Sequence, residues 1–281
     1  MRPGSRSRQV LARSSQARAA ALLVDIGNTR IKWAIWRAGR PGRMRAAFNA
    51  DWSRADYERE LFGERVSAII VASVAATRVN HLVASAARRA CGIAPRFIAT
   101  PRRAAGVTTR YVETWRLGVD RFAGVAGARV LLGARAACVV NAGTAVTIDL
   151  LDASGVHRGG AILPGPRMMV SSLLAGTAGI DRRARNSGAT RAARDKGRGG
   201  RGGLFARSTR DAIEEGARYA VASAVDRAAA EARRVLGRAP QVLLTGGGAE
   251  ELEPLIQARH RCVPDLVLRG VAAVAGLARH A

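Results

Sequence analysis

An α/β fold of two related domains is predicted by three features of this sequence. A short apolar run, Ala21–Ile26, breaks at Gly27-Asn28, after which Ile31, Trp33 and Ile35 alternate with Lys32, Ala34 and Trp36. Such a pair of runs joined by a Gly/Asn link reads as a β-hairpin. The pattern returns mid-chain, where Cys138-Val139-Val140 enters Asn141-Ala142-Gly143-Thr144 and then the apolar, β-branched run Ala145–Leu151. Between and after these units, strand-like runs alternate with stretches of helical spacing, as layered α/β architectures do. The expected organisation is a basic tail over 1–20, a first domain over 21–135 and a second over 136–281, each presenting a glycine turn to a shared cleft.

After the first hairpin, 37–43 is a Gly/Arg/Pro turn and 46–65 a mixed polar segment with a short helix. An apolar strand is expected over 66–73. A helix follows over 78–91, with Val79, Leu82, Val83 and Ala86 on one face. Residues 93–99 form a strand interrupted at Pro95, which places it at a sheet edge. A loop runs through Gly106-Val107 to Tyr111, and 119–132 is a small-residue helix suited to close packing. In the second half, strands over 136–140 and 145–151 lead through Asp152-Ala153-Ser154-Gly155 to a strand over 157–163. Pro164-Gly165-Pro166 starts a helix expected to turn Met168, Met169, Leu173 and Leu174 inward. Ser208, with Asp211 three residues on, caps a helix towards Leu236. Gln241–Thr245 is a strand ending in Gly246-Gly247-Gly248, and 265–279 is a closing amphipathic helix.

Composition narrows the function classes. The chain has 281 residues, 48% hydrophobic, so it can bury a substantial core, and no apolar run approaches the ~20 residues of a membrane span. The three cysteines, Cys91, Cys138 and Cys262, lie far apart and in no C-x-x-C pattern. With histidines at 81, 157, 260 and 280 showing no ligand spacing, neither disulfides nor zinc is expected, and the location is read as cytoplasmic. The net charge of +25 invites a nucleic-acid reading. About half of that excess, however, sits in the tail and in the Arg/Gly-rich segment 182–207, where nine basic residues face only Asp195. Neither stretch has hydrophobic periodicity, and no specific nucleic-acid partner is expected.

Two places carry chemistry. The first turn gathers Asp25, Asn28, Thr29 and Lys32, a set that can cradle phosphate if a cation or water stands between it and Asp25. Read alone, it is equally an ordinary polar turn. Gly118-Val119-Asp120-Arg121 sets a carboxylate and a guanidinium side by side at a helix start. Asp120 there could take a proton from a substrate hydroxyl while Arg121 holds an anionic group. The plainer alternative is a helix-start Asp favoured by the dipole, with Arg121 solvated.

In order, the elements DIGNTRIK, GVTTRY, LGVDRF, NAGTAVTIDLLD, GGAILPG, STRDAIEEG, LLTGGG and DLVLRG resemble the type III pantothenate kinase family, to which the Bvg accessory factor proteins are related. The resemblance implies two ribonuclease H-like domains in the actin-like ATPase fold, with a cleft between them. It implies phosphorylation of pantothenate by ATP with Mg²⁺, the first step towards coenzyme A, and a homodimer whose sites lie at the interface. By the same resemblance, Asp25, Ile26, Gly27, Asn28, Thr29, Arg30, Ile31 and Lys32 match the first phosphate turn, Gly143 and Thr144 the second, and Gly246-Gly247 the nucleotide-side glycine turn. Asp120 matches the general base; Tyr111, Gly118, Val119, Asp120, Arg121 and Thr209 match pantothenate contacts. Two positions depart from the family pattern. Asn141 stands where many members carry Asp beside a monovalent cation (K⁺ or NH₄⁺), and Thr114 where many carry Pro. The alternative the charge and Asn141 bring in is a catalytically weak, Bvg accessory factor-like regulator.

Overall fold

The structure is a computed structural model that describes residues 20–186 and 203–278; the basic tail and most of the Arg/Gly-rich segment lie outside the described residues. β1 (Ala21–Ile26) and β2 (Arg30–Arg37) form the expected antiparallel hairpin, with Asp25 opposite Lys32 and Ile26 opposite Ile31. Gly27 N–H donates to the Arg30 carbonyl at 2.9 Å to close it. Neither Gly27 nor Asn28 adopts a left-handed φ, so the glycine answers to space and not to backbone sign: a Cβ there would lie 3.2 Å from the Arg30 oxygen. β3 (Arg40–Pro41) and β4 (Arg45–Phe48) both pair with β2. The sequence reading missed β4 because its residues are largely exposed and carry no apolar alternation.

α1 (Arg54–Leu61) opens on a capping box between Ser53 and Asp56. β5 (Ala68–Ser73) lies parallel to β1, followed by α2 (Thr77–Cys91) and by β6 (Arg96–Phe97), the edge strand that Pro95 foretold. The expected loop before Tyr111 instead holds two short strands, β7 (Arg103–Ala104) and β8 (Val107–Thr109). Their tight turn uses left-handed Ala105 and Gly106, a signal too local for periodicity to reveal. α3 (Val119–Leu132) has the bounds predicted. The second half contains β9 (Ala137–Ala142), β10 (Ala145–Leu151), β11 (Val156–Pro164), α4 (Pro166–Gly176), α5 (Ala178–Asn186) and α6 (Thr209–Leu236). It ends with β12 (Gln241–Thr245), α7 (Ala249–Leu252), β13 (His260–Cys262) and α8 (Leu266–Val274).

Contacts divide the chain into two compact units, the first comprising the described residues of 1–137, 150–159 and 264–281, the second those of 138–149 and 160–263. In the first unit the strand order is β3-β2-β1-β5-β6. β1 is buried on both faces, as its run, apolar but for Asp25, requires. Leu22, Val24 and Ile26 pack with Tyr57, Leu61 and Val83 under α1 and α2. Ala21 and Leu23 point the other way, with Val119, Ala123, Val267 and Val271 of α3 and α8. α8 is shorter than expected and buried almost all round, so it is a core helix and not an amphipathic one. Its backbone touches α3: a Cβ on Gly270 would fall 1.7 Å from the Ala123 carbonyl oxygen, and one on Gly127 2.1 Å from that of Leu266.

In the second unit the strands run β13-β12-β9-β10-β11. Cys138, Val140, Val146 and Ile148 meet Val221 and Val225 of α6 and Val242 and Leu244 of β12 in its core. Ser208 caps α6 as expected, its Oγ accepting from Asp211 N–H at 3.1 Å. The inward orientation expected for α4 does not hold. Met169 packs against the core, but Met168 and Leu173 are 42% and 41% exposed and no residue of the helix is fully buried. Its residues are exposed or at most half-buried, so part of its apolar surface finds no cover in the described chain. Among the described residues, no helix is long and apolar enough to cross a membrane.

Candidate active site

The candidate residues form one group in each unit. In the first, β1 alternation puts Asp25 on the same face as Leu23, the face covered by α3. Asp25 is buried, and the charge of Asp120 near the start of α3 reaches it. Burial pushes the Asp25 carboxyl up to about 6; Lys32 across the hairpin pulls down, and Asp120 adds to the rise. Gly118 precedes α3 for a steric reason, since a Cβ there would sit 2.6 Å from Asp120 Oδ1. That oxygen accepts the Arg121 backbone N–H at 2.8 Å, which folds the carboxylate back over the helix start.

Arg121 is not solvated but 6% exposed. Its Nη1 donates to the Tyr111 hydroxyl at 3.1 Å, and its guanidinium carbon lies 5.8 Å from the centre of the Tyr111 ring. The ring is in turn stacked on His157, centroids 5.9 Å apart and planes 15° from parallel. His157 is buried, with Nδ1 3.3 Å from Thr109 Oγ1, and that hydroxyl accepts the Tyr111 backbone N–H at 3.2 Å. Arg102 holds the same stretch from outside, its Nη1 donating to the Tyr111 carbonyl at 2.6 Å and its Nη2 to that of Val112 at 2.7 Å. Tyr111 is therefore fixed at ring, hydroxyl and backbone, although it stands in an irregular segment.

In the second unit three loops meet at the β9–β10 turn. Gly143 N–H is shared between the Asn141 and Ala145 carbonyls, each at 3.1 Å, so it serves the turn; Gly143 and Thr144 themselves are exposed. Gly165 N–H donates to the Thr144 carbonyl at 2.9 Å, and a Cβ on Gly165 would lie 2.7 Å or less from both the Gly143 and Thr144 oxygens. Gly246, at φ +101°, is pressed on Ala142, where a Cβ would come within 2.6 Å of three backbone atoms. Gly248 N–H donates to the Ala142 carbonyl at 2.9 Å. Thr209 is half-buried at the first turn of α6.

The sequence reading brought forward Asp25, Tyr111, Asp120 and Arg121, which the first unit assembles, and Asn141, Gly143, Thr144, Gly246 and Gly247 of the second. It missed His157 and Gly165. His157 had no visible ligand spacing, because its relation to Tyr111 arises from the parallel pairing of β11 with β8, His157 opposite Thr109. Gly165 was read only as part of a helix start, though a glycine between two prolines marks a place where a backbone must come close.

A model of the type III pantothenate kinase family matches residues 21–231, three quarters of the chain. The chain belongs to the type III pantothenate kinase family. It is 34% identical over 264 residues to a curated type III pantothenate kinase of Nitrosococcus oceani, covering 90% of this chain and 93% of that protein. With the one from Aromatoleum aromaticum it shares 37% over 262 residues, covering 90% and 97%. Two solved structures share its fold. A protein of Campylobacter jejuni described as a Baf-family transcriptional activator superposes with a TM-score of 0.50 at 18% identity, covering 91% of this chain and 97% of that one. The activator of 2-hydroxyisocaproyl-CoA dehydratase from Clostridium difficile, solved with ADPNP, gives 0.51 at 13% identity, covering 92% and 94%. At those identities both speak for the actin-like ATPase fold alone. Gly246 and Gly247 lie beyond the residues that the family model matches.

Proposed function

We propose that this chain transfers the γ-phosphoryl group of ATP to the primary hydroxyl of pantothenate, giving 4'-phosphopantothenate and ADP. The observation that carries the assignment of roles is the Asp120–Arg121–Tyr111 constellation: a carboxylate folded over a helix start beside a buried guanidinium that an aromatic hydroxyl holds in place. Pantothenate offers matching chemistry, a carboxylate for Arg121 at one end and a hydroxyl for Asp120 at the other. Asp120 accepts the hydroxyl proton as the oxygen forms its bond to the γ-phosphorus. The bond from that phosphorus to the β–γ bridging oxygen breaks, ADP leaves, and the proton then passes from Asp120 to solvent. Phosphoryl transfer draws on positioning and charge neutralisation more than on covalent help.

On the nucleotide side, the turn at 143–144 brings exposed backbone close to the phosphates without side-chain bulk at Gly143. The packing of Gly165 and Gly246 on that turn supports this reading, since any side chain there would displace it. α4 begins directly after Gly165, and the dipole of its 11 residues favours an anion at that end. Mg²⁺ carried with ATP supplies positive charge against the phosphate oxygens. The donor set suits it: Asp25, a hard-oxygen carboxylate, lies near the end of β1, and Asn28 and Thr29 lie in the turn that follows, and these would hold the ion directly or through water. Asn141 keeps a carbonyl oxygen for a monovalent cation but no charge. A homodimer is part of the same reading, because Ile162, Met168 and Leu173 expose apolar side chains that a second copy would cover. The test is a coupled ADP-release assay with ATP, Mg²⁺ and pantothenate. Turnover that requires pantothenate supports the assignment, and its absence in folded protein favours the regulatory relative.

A further inference from the structure

We infer that Glu253, His260 and Cys262 form a binding site for a borderline-soft divalent metal ion, best matched by Zn²⁺, at the edge of the second unit's sheet. β13 is the outermost strand there and runs parallel to β12, with His260 opposite Val242 and Cys262 opposite Leu244. Two residues apart on a strand, His260 and Cys262 project to one face. Glu253 opens the 3₁₀ turn Glu253–Leu255 that follows α7. One ligand atom from each of the three lies within 4.8 Å of the others. Tetrahedral Zn²⁺ with bonds of ~2.0–2.3 Å sets its ligand atoms roughly 3.3–3.8 Å apart. Glu253 is exposed, so its side chain is free to turn towards an ion held by the other two.

The surroundings are those of a prepared site. His260 Nδ1 lies 2.8 Å from the Ala258 carbonyl oxygen. An N–H donated there leaves Nε2 as the metal-binding nitrogen and fixes the ring, the arrangement usual behind metal-bound imidazoles. The loop leading to His260 is tied down by Asp226, whose carboxylate accepts the backbone N–H groups of Gln257 at 3.0 Å and Ala258 at 2.8 Å. Burial, with the Glu253 carboxylate nearby, pushes the Cys262 thiol up to about 11, so a bound ion must displace a firmly held proton. A thiol, an imidazole and a carboxylate together suit Zn²⁺ and disfavour Mg²⁺ or Ca²⁺, which take oxygen alone. Binding requires Cys262 as thiolate, and its proton is released to solvent. A water completes the tetrahedron. None of the three residues belongs to the candidate active site, so the ion would staple the turn after α7 to the edge strand and leave phosphoryl transfer untouched.

The experiment uses the full chain stripped with a chelator, then titrated with Co²⁺ followed by absorption and with Zn²⁺ followed by calorimetry. One equivalent of Co²⁺ should give a thiolate-to-metal charge-transfer band that Zn²⁺ abolishes. Cys262→Ser should remove the band. His260→Gln and Glu253→Gln should each weaken Zn²⁺ binding by at least ~10–100-fold, the range already seen for residues that merely support ligands. Zn²⁺ should raise the melting temperature of the wild type and not of Cys262→Ser, while circular dichroism checks that each variant folds. The inference is overturned if no charge-transfer band forms, if the band persists in Cys262→Ser and so belongs to Cys91 or Cys138, or if Zn²⁺ affinity is the same in all four proteins.

Discussion

Asp25 on the first strand and Asp120 at the start of α3 feel each other's charge from opposite environments. Asp25 is enclosed by the sheet face and its carboxyl is pushed up to about 6, chiefly by burial. Asp120 is half-exposed and accepts the Arg121 backbone N–H at a helix start, where negative charge is favoured. Two carboxylates placed so differently are suited to different work, one near a cation and one near a transferable proton. The relation follows from elementary geometry: strand alternation turns Asp25 towards α3, and Gly118 leaves room for the Asp120 side chain to fold back.

Asp120→Asn should leave the fold intact and lower kcat by ~10²–10⁴-fold, the usual worth of a positioned base. Asparagine keeps the size and can still accept the Arg121 N–H, so circular dichroism and melting temperature should barely change. A variant with near-normal kcat would remove Asp120 from the role of base.

Asp25→Asn should abolish or severely reduce turnover yet stabilise the protein at neutral pH. The folded-state pKa of about 6 lies above the ordinary 3.8, so between those values the folded chain holds a proton the unfolded chain has lost. Stability therefore falls as pH rises through about 4 to 6, by roughly 3 kcal/mol once Asp25 is fully ionised. The asparagine variant lacks that loss. Urea melts from pH 4.5 to 7.5 should show the two proteins diverging as pH rises, the variant above. Parallel curves would mean that the Asp25 carboxyl titrates normally in the folded state.

Much of this arrangement was legible in the chain. The β1–β2 hairpin, α3 and the cap at Ser208 could be read because each is fixed by local pattern: alternation, small-residue helical spacing, and a hydroxyl three residues before a carboxylate. What could not be read depends on pairing. β4 is a strand only because β2 lies beside it, and His157 meets Tyr111 only because β11 pairs with β8. The neighbourhood of Glu253, His260 and Cys262 was hidden for the same reason. His260 and Cys262 share a face once β13 exists, but a three-residue edge strand has no periodicity to announce it. The exposed Met168 and Leu173 failed differently, since an apolar stripe does not say whether its cover comes from the same chain.

Gly270→Ala should destabilise the first unit by at least ~1–3 kcal/mol, the usual effect of overpacking, because the new Cβ would meet the Ala123 backbone and not a movable side chain. α3 must then separate from α8, carrying Asp120 with it, so kcat should fall along with the melting temperature. Gly237→Ala makes the comparison: that residue has open space but a φ of +70°, and it should lose stability without losing kcat. Equal kcat in the Gly270→Ala variant and the wild type would show that the helix contact does not set Asp120.

His157→Ala should raise the KM for pantothenate about 2–10-fold with little change in kcat. His157 is a positioning residue: it stacks on Tyr111, which holds the Arg121 guanidinium, and an aromatic pair is worth ~0.5–1.5 kcal/mol beyond its burial. His157→Phe restores a ring without the contact to Thr109 and should recover part of the loss. Steady-state kinetics against pantothenate and ATP separately provides the check. A rise in the KM for ATP alone, or a phenylalanine variant no better than alanine, would count against the stack as the cause.

Asn141 bears on the dependence of the reaction on monovalent cations. It is half-buried at the end of β9, and its carbonyl accepts the Gly143 N–H that shapes the turn below Thr144. An aspartate here would add a full negative charge for holding K⁺ or NH₄⁺ beside the ATP phosphates. Asparagine offers a neutral amide oxygen, which can still ligate a hard cation but attracts it less. Loss of that charge also removes a repulsion against phosphate, so ATP binding need not suffer. Activity should therefore persist with weak or no dependence on monovalent cations, and Asn141→Asp should introduce some. The measurement is rate against KCl and NH₄Cl at constant ionic strength in both proteins. A steep, saturable requirement for K⁺ at low concentration in the wild type would mean that other oxygens suffice and that the residue at 141 does not decide the matter.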